Sequence, residues 1–474
     1  MGIEDAQIRE IVRRVVGGMD LQSPGSAPAV AKESATGLRG VFTTAEAALA
    51  AAERAFAQYR RASLAKRKAI VEELRKTCVA SAQRLARMAV DESGMGRVSD
   101  KVMKHHLVAE KTPGVEDLPS RAFVGDHGLT TEEPAPFGII FAVTPTTNPS
   151  ATLFNNAISM LAAGNVIYFA PHPRALKTAL TCIDLINEAI ERAGGPANLV
   201  VTTDTVDLAT VQAMMRHPKI ALLCVTGGTG VVDQALTSGK RVIGAAAGNP
   251  PALVDDSADP GKAARDIIAG HSFDNNLPCV AEKEVIVTAA IADDLMTCFR
   301  SAPDVVTLAA SGLDLLEKVV LNADRSGPNP KMIGKNACVI LRELGITAGE
   351  EVRAIVVEAD RFNPIVRHEL MMPVLGVVRV GGFEEAVDVA VEVEGGLRHS
   401  AIIHSSNIYH MSEFAHAIGT TIFVKNAPSF AGIGFGGEGP TSFTIAGRTG
   451  EGLASAHTFT RVRRCALVGA FSLT

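Results

Sequence analysis

The sequence predicts an α/β protein built from two doubly wound parallel-sheet domains. Three observations point there. A chain of 474 residues exceeds one small core, and a prior of about one domain per 150 residues gives two or three. Between 137 and 247, apolar runs alternate with helix-like segments, and strands that read as unbroken apolar runs belong to parallel sheets covered on both faces. From about 255 to 425 the chain repeats that style less regularly.

Taken in order, the first element is an amphipathic helix over 1–20. Ile8, Ile11, Val12, Val15, Val16 and Met19 fall at helical spacing, with Glu10, Arg13 and Arg14 opposite. A Ser/Pro/Gly/Ala linker follows over 21–40. A short amphipathic helix on such a tether either folds back on its own domain or docks on a partner surface. From 43 to about 110 the pattern is helical, with Thr44 and Asp91 at helix ends. Strand-like 137–143, 165–170, 198–202, 220–225 and 241–247 then alternate with helix-like 150–163, 174–193, 206–216 and 229–238. A helix over 259–271 leads into the second half. Strand-like runs follow at 284–288, 337–341, 352–358, 374–380, 401–404 and 420–424, and "RCALVGAF" near the C-terminus is another.

The net charge of −5 gives no electrostatic footprint for nucleic acid. The seven cysteines are odd in number and scattered, without CxxC pairs or zinc spacing, so neither a disulfide framework nor a metal site is expected, and a reducing compartment is. No apolar run approaches the roughly 18 residues of a membrane span, and no secretion signal is read at the start. The expected location is intracellular.

Three stretches carry chemistry. In "SFDNNLPCVAEKEVIV" (272–287), Cys279 lies in a polar loop ahead of an apolar strand; a reactive thiolate needs such access, although a loop cysteine is more often structural. "CVTGGTGVVDQAL" (224–236) leaves a strand and opens a helix on Gly227, Gly228 and Gly230. That suits a pyrophosphate at a helix N-terminus, or merely tight packing. In "TPTTNPSATLFNNA" (144–157), Thr147 and Asn148 sit at a strand's carboxyl edge, where an amide can face an oxyanion or simply cap the helix. "GIGFGGEG" (432–439) imitates a dinucleotide fingerprint, but no strand leads into it and no acidic partner follows. It reads as a loop bridging domains.

Together, "TPTTNP" (144–149), "AAGNVIYFAPHPRA" (162–175), "VTGGTGVV" (225–232), "AAAGNPP" (245–251), "FDNNLPCVAEK" (273–283), "ELMMPVL" (369–375) and "GLRHSAIIHSSN" (396–407) resemble the aldehyde dehydrogenase superfamily. Within it, they resemble the CoA-acylating enzymes of bacterial microcompartments. The resemblance implies an aldehyde dehydrogenase-like fold with a small oligomerisation strand element, and a dimer or tetramer. It divides the chain into a targeting helix (1–20), a linker (21–40) and a dinucleotide-binding domain (41–254, with oligomerisation strands at 116–136 and 455–474). A catalytic domain (255–428) and a Gly-rich return segment (429–454) complete it.

By the same resemblance, Cys279 is the nucleophile and Asn148 or Thr147 completes the oxyanion hole. His399 is the base for the CoA thiol, with His404 as competitor. Thr144, Pro145, Thr147, His172, Pro173, Thr226, Gly227, Gly228, Thr229 and Glu369 contact the cofactor, NAD favoured over NADP. The other six cysteines read as mostly core. Hydrolytic relatives carry a water-activating glutamate near "GAAAGNPP"; here no carboxylate stands between Val242 and Val254. CoA, a better attacker on a thioester than water, is therefore the expected acyl acceptor. The implied reaction takes a short aliphatic aldehyde, propionaldehyde foremost, with acetaldehyde or a hydrolytic reaction as alternatives. The implied setting is the cytoplasm within a microcompartment, residues 1–20 binding a shell protein. A catalytically silent shell-binding protein would have no need of the intact Cys279 loop.

Overall fold

The computed structural model describes residues 37–471; the expected helix over 1–20 and nearly all of the linker lie outside the described residues. Thr44 caps the helix Ala45–Tyr59, its hydroxyl accepting from the Ala47 N–H. The next helix, Leu64–Ser93, runs past Asp91 and stops at Gly94, which adopts the left-handed conformation that glycine enters without steric cost (φ 68°). A third helix, Val98–Lys111, follows.

The strands are β1 (Val41–Phe42), β2 (Arg121–Gly125), β3 (Gly128–Pro136), β4 (Ile139–Thr144), β5 (Val166–Pro171), β6 (Val200–Thr203), β7 (Ile220–Thr226) and β8 (Val242–Ala245). After them come β9 (Pro251–Val254), β10 (Glu284–Thr288), β11 (Val305–Leu308), β12 (Ala354–Glu358), β13 (Val374–Val380), β14 (Ser400–His404) and β15 (Ile422–Lys425). Two short strands, β16 (Ile445–Ala446) and β17 (Gly452–Leu453), precede β18 (Thr460–Val468).

Two parallel sheets form the body, as the apolar runs predict. The first has the order β1-β6-β5-β4-β7-β8. The chain winds one way from β4 through β5 to β6 and the other way through β7 to β8, so a topological switch point lies between β4 and β7. The helix Pro149–Ala162 beneath it is buried on every face, as expected of a helix apolar all round. The second sheet has the order β11-β12-β13-β10-β9-β14-β15.

The strand β9 pairs with β10 and β14, so the second sheet begins at Pro251, a few residues before the expected boundary after 254. One expected strand is wrong: 337–341 lies in the helix Ala337–Glu343, burying Ile340 and Leu341. A short apolar run carries no period that separates a buried strand from a buried helical turn. The helices Ala289–Ser301, Leu313–Val320, Phe383–Glu394 and Ile408–Ile418 were not individually read from the sequence.

Residues within 116–136 and 455–474 meet in a three-stranded antiparallel sheet, β18-β3-β2. Its outer strands expose Phe123, Val124, Val462 and Val468. Of the six other cysteines, Cys78, Cys182, Cys224 and Cys338 are buried, Cys298 is half-buried and Cys465 is exposed on β18.

Candidate active site

The two sheets offer opposite strand ends to one place. The first contributes the loops leaving β4, β5 and β7, the carboxyl ends where doubly wound sheets bind ligands. The second contributes its amino ends: Gly248 before β9, Cys279 before β10, Glu369 before β13 and His399 before β14. The segment 246–250, crossing from β8 to β9, joins them.

The Cys279 loop is built by three consecutive left-handed residues, Asp274 (φ 49°), Asn275 (φ 56°) and Asn276 (φ 62°). Asn and Asp tolerate this conformation because their short polar side chains bond locally, yet it costs other L-residues about 1–2 kcal/mol each. Tertiary bonds hold the turn. Asp274 Oδ1 accepts from the Arg97 N–H at 2.7 Å, and its Oδ2 accepts from Lys101 (2.9 Å) and Lys104 (2.5 Å). Burial alone would lift the Asp274 carboxyl, but Lys101 and Lys104 hold it below the usual range. On the far side, buried Lys283 donates to the carbonyls of Asn276 (2.9 Å) and Pro278 (3.2 Å) and to Asn276 Oδ1 (2.7 Å). The backbone approaching Cys279 is thus pinned from both ends.

Half-buried Cys279 lines a cavity with Lys104, Asn148, Phe273, Phe430, Phe435 and Phe443. Its volume is about 40 Å³, room for roughly three waters. Phe273, Phe430 and Phe435 pack at 5.1–5.7 Å between ring centroids and make the wall apolar. Asn148 precedes the helix Pro149–Ala162, but its side chain makes no capping bond; the amide is released from the helix. Its Oδ1 accepts from Lys104 Nζ at 2.5 Å. The backbone oxygen of Thr147 is held by Lys101 at 2.9 Å, and it is Asn148, not Thr147, that lines the cavity.

His399 is buried. Its Nδ1 bonds Ser400 Oγ at 2.8 Å, while Nε2 has no protein partner among the described residues. Gly248 marks how near it lies to the nucleophile: a Cβ added there would stand 2.8 Å from the Cys279 carbonyl oxygen and 2.8 Å from His399 Cγ. Burial, reinforced by Lys283, pushes the His399 pKa down to about 4. The ring is therefore neutral at pH 7, an acceptor and not a cation. His404 is also buried, its pKa lowered to about 4 by burial.

Burial, then the neighbouring Glu369, raises the Cys279 thiol to about 12, opposed by Lys283, its own backbone N–H and Lys104. Glu369 itself is raised by burial and restrained by Lys283 at 3.7 Å and by the Gly248 N–H. The carboxylate beside the thiol is thus already engaged by a cation and an amide.

The expected cofactor residues other than Glu369, which precedes β13 of the second sheet, fall at the first sheet's carboxyl ends. Thr144 ends β4, Pro145 and Thr147 follow it, and His172 and Pro173 follow β5. Thr226 ends β7, with Gly227 and Gly228 leading into the helix Thr229–Leu236. Thr226 and Thr144 therefore flank the switch point. A Cβ added at Gly228 or Gly230 would meet nothing within 4 Å, so the backbone there is open to close approach by a pyrophosphate, and the helix N–H groups fit it. His172 Nδ1 accepts from the Arg174 N–H at 3.1 Å and so caps its own turn.

Sequence reasoning missed the cavity's far wall. Phe430, Ile433, Phe435, Phe443 and Ile445 come from the segment read as a bridging loop and Gly-rich return, which Lys111 clasps through the carbonyls of Gly434 and Gly437 at 2.7 Å each. It also missed Lys104 and Lys283, which look like ordinary helix and loop charges. Paired Lys at 101 and 104, spaced to share a helix face, was the available signal.

Residues 23–310 match the model of the aldehyde dehydrogenase family. Two Salmonella typhimurium proteins are similar over nearly the whole chain. The acetylating acetaldehyde dehydrogenase EutE is 46% identical, covering 92% of this chain and 93% of its own. The CoA-propanoylating propanal dehydrogenase is 45% identical, with the same coverage. Among solved structures, a propionaldehyde dehydrogenase from the Clostridium phytofermentans fucose utilisation microcompartment superposes with a TM-score of 0.90. It is 48% identical, covering 92% of this chain and all of the other. With a cysteine in a lined cavity, an amide beside it and an open glycine turn at the switch point, the chain belongs to the aldehyde dehydrogenase family.

Proposed function

We propose that this protein is a CoA-acylating aldehyde dehydrogenase that converts a short aliphatic aldehyde, CoA and NAD to acyl-CoA and NADH. One observation carries the choice of CoA over water. The crossing segment 245–251 brings Gly248, not a carboxylate, between Cys279 and His399. Glu369 is the acid felt by the thiol, and it is held by Lys283.

Cys279 rests as a thiol and reacts through the minor thiolate in equilibrium with it, the proton passing to solvent. The sulfur adds to the aldehyde carbon, and the carbonyl pair moves onto oxygen, facing the Asn148 amide and the Cys279 N–H. The oxygen pair then re-forms the carbonyl as hydride leaves, giving a thioester on Cys279. NAD, when bound by Thr226–Thr229 and Glu369, supplies the hydride acceptor. The CoA thiol loses its proton to His399 Nε2, its sulfur attacks the thioester carbon, and Cys279 departs as thiolate. The apolar wall of Phe273, Phe430 and Phe435 suits a short aliphatic aldehyde, propionaldehyde foremost with acetaldehyde as the alternative. Residues 1–20 address the enzyme to a microcompartment shell within the cytoplasm, and the exposed β18-β3-β2 sheet joins copies as a dimer or tetramer.

The test is NADH formation from propionaldehyde with and without CoA. A burst of one NADH per site without CoA, and sustained turnover only with it, is expected. Cys279→Ala abolishes both. Sustained turnover without CoA overturns the acylating reading in favour of hydrolysis.

A further inference from the structure

We propose that Lys104 is a positioning residue of the oxyanion hole, fixing which face of the Asn148 amide meets the substrate oxygen. The inference rests on Cys279 being the acyl carrier. A primary amide presents an acceptor on one side and two donors on the other, and the two orientations are nearly isosteric. Turned one way, Asn148 stabilises the tetrahedral oxyanion; turned the other, it repels it. Asn148 makes no capping bond to its own helix, and its Nδ2 has only a long 3.4 Å contact with Thr147 Oγ1. The local backbone therefore does little to choose between the faces.

Lys104 chooses. Its ammonium is donor-only, is 3% exposed and reaches Asn148 Oδ1 at 2.5 Å. A cation there accepts only the oxygen, which leaves Nδ2 for the cavity that both residues line. The lysine is itself fixed: a second N–H goes to Asp274 Oδ2, and the ammonium lies 5.5 Å from the Phe273 ring centroid. Asp274 belongs to the left-handed turn before Cys279. One side chain thus ties the two halves of the oxyanion hole, the Asn148 amide and the Cys279 backbone, to a common cation. Burial lowers the Lys104 pKa to about 8, with Asp274 opposing and Lys101 assisting, so the ammonium form prevails at pH 7.

The experiment compares wild type, Lys104→Met, Asn148→Ala and the double variant in rapid-mixing measurement of the NADH burst. Cys279 alkylation by iodoacetamide and thermal melting run in parallel. Asp274 retains Lys101 and the Arg97 N–H when Lys104 is removed, so Lys104→Met is expected to fold. Its burst should slow about 100-fold, the scale of losing one oxyanion donor, with KM for CoA unchanged and alkylation slowed less than threefold. The double variant should be no slower than Asn148→Ala alone, because the lysine acts through the amide.

A burst within threefold of wild type, alkylation falling in parallel with the burst, or losses that multiply in the double variant would each overturn the proposal. If Lys104→Met does not fold, Lys104→Arg decides. A guanidinium can serve both oxygens and should keep the burst within tenfold, whereas a folded Arg variant as slow as Asn148→Ala refutes the role. Failure of the underlying functional reading shows separately, as wild type without a burst.

Discussion

Gly248→Ala probes the geometry on which the acyl-transfer reading depends. The added methyl would stand 2.8 Å from both the Cys279 carbonyl oxygen and His399 Cγ, where ordinary contact begins at 3.4 Å. Each neighbour must therefore yield by about 0.6 Å, or the backbone at 248 must shift as much. The Cys279 carbonyl sits in a loop pinned by Lys283 and Asp274, and His399 is held through Ser400, so neither gives cheaply. Overpacking of this kind costs about 1–3 kcal/mol of stability, tolerable in a chain of this size. Catalysis is less forgiving: a misplacement near 1 Å costs about 100-fold, so a shift of about half that predicts roughly a tenfold loss in each step. The rapid-mixing NADH burst reads thioester formation, and steady-state turnover with CoA reads acyl release. Both should fall with the melting temperature lowered by only a few degrees. A variant that melts normally and keeps both rates within twofold would show that the Cys279–His399 approach across Gly248 has no part in the reaction.

His399→Ala should leave the burst within about threefold and slow CoA-dependent turnover by 10²–10⁴, the range of general-base loss; a vanished burst would move His399 to the first half-reaction. Glu282 is raised to about 8 by burial, opposed by the Ser429 hydroxyl and N–H. Its contribution to stability is therefore present below the ordinary carboxylate range and lost as pH rises through about 8, at a cost of at most roughly 5 kcal/mol. Glu282→Gln should consequently raise the melting temperature more at pH 9 than at pH 6, and equal shifts at the two pH values would refute the assignment. Deleting residues 1–20 should leave turnover unchanged and abolish co-sedimentation with shell protein; retained co-sedimentation would place the docking elsewhere.

The parallel sheets were legible because apolar runs such as "GIIFAV" and "NVIYFA" have no alternation, a signature only two-sided burial permits. Thr44 as a cap was legible because capping is local. The run 337–341 was not, since five apolar residues suit a helical turn or a strand equally. In the site, Cys279, Asn148, Gly228 and His399 were candidates from motifs, and the fold sets them at the strand ends where the two sheets meet. The bland alternative for Asn148, a helix cap, fell only when its side chain was seen bonded to Lys104 and not to the helix. The lowered pKa of His399 was not legible either, because burial is a property of the assembled cleft.

The sequence alone determined the winding of the two sheets, the thiol in its polar loop and the missing carboxylate in the crossing segment, all of which are encoded by residues near one another in the chain. Only the tertiary structure decided that the first sheet's carboxyl ends meet the second sheet's amino ends. It also decided that a segment resembling a nucleotide loop walls the substrate cavity with phenylalanines, and that Lys104 reaches across to the Asn148 amide. Those pairings join residues dozens to hundreds of positions apart. Packing and charge compensation select them once the chain closes, and no local pattern records which distant partner will be there.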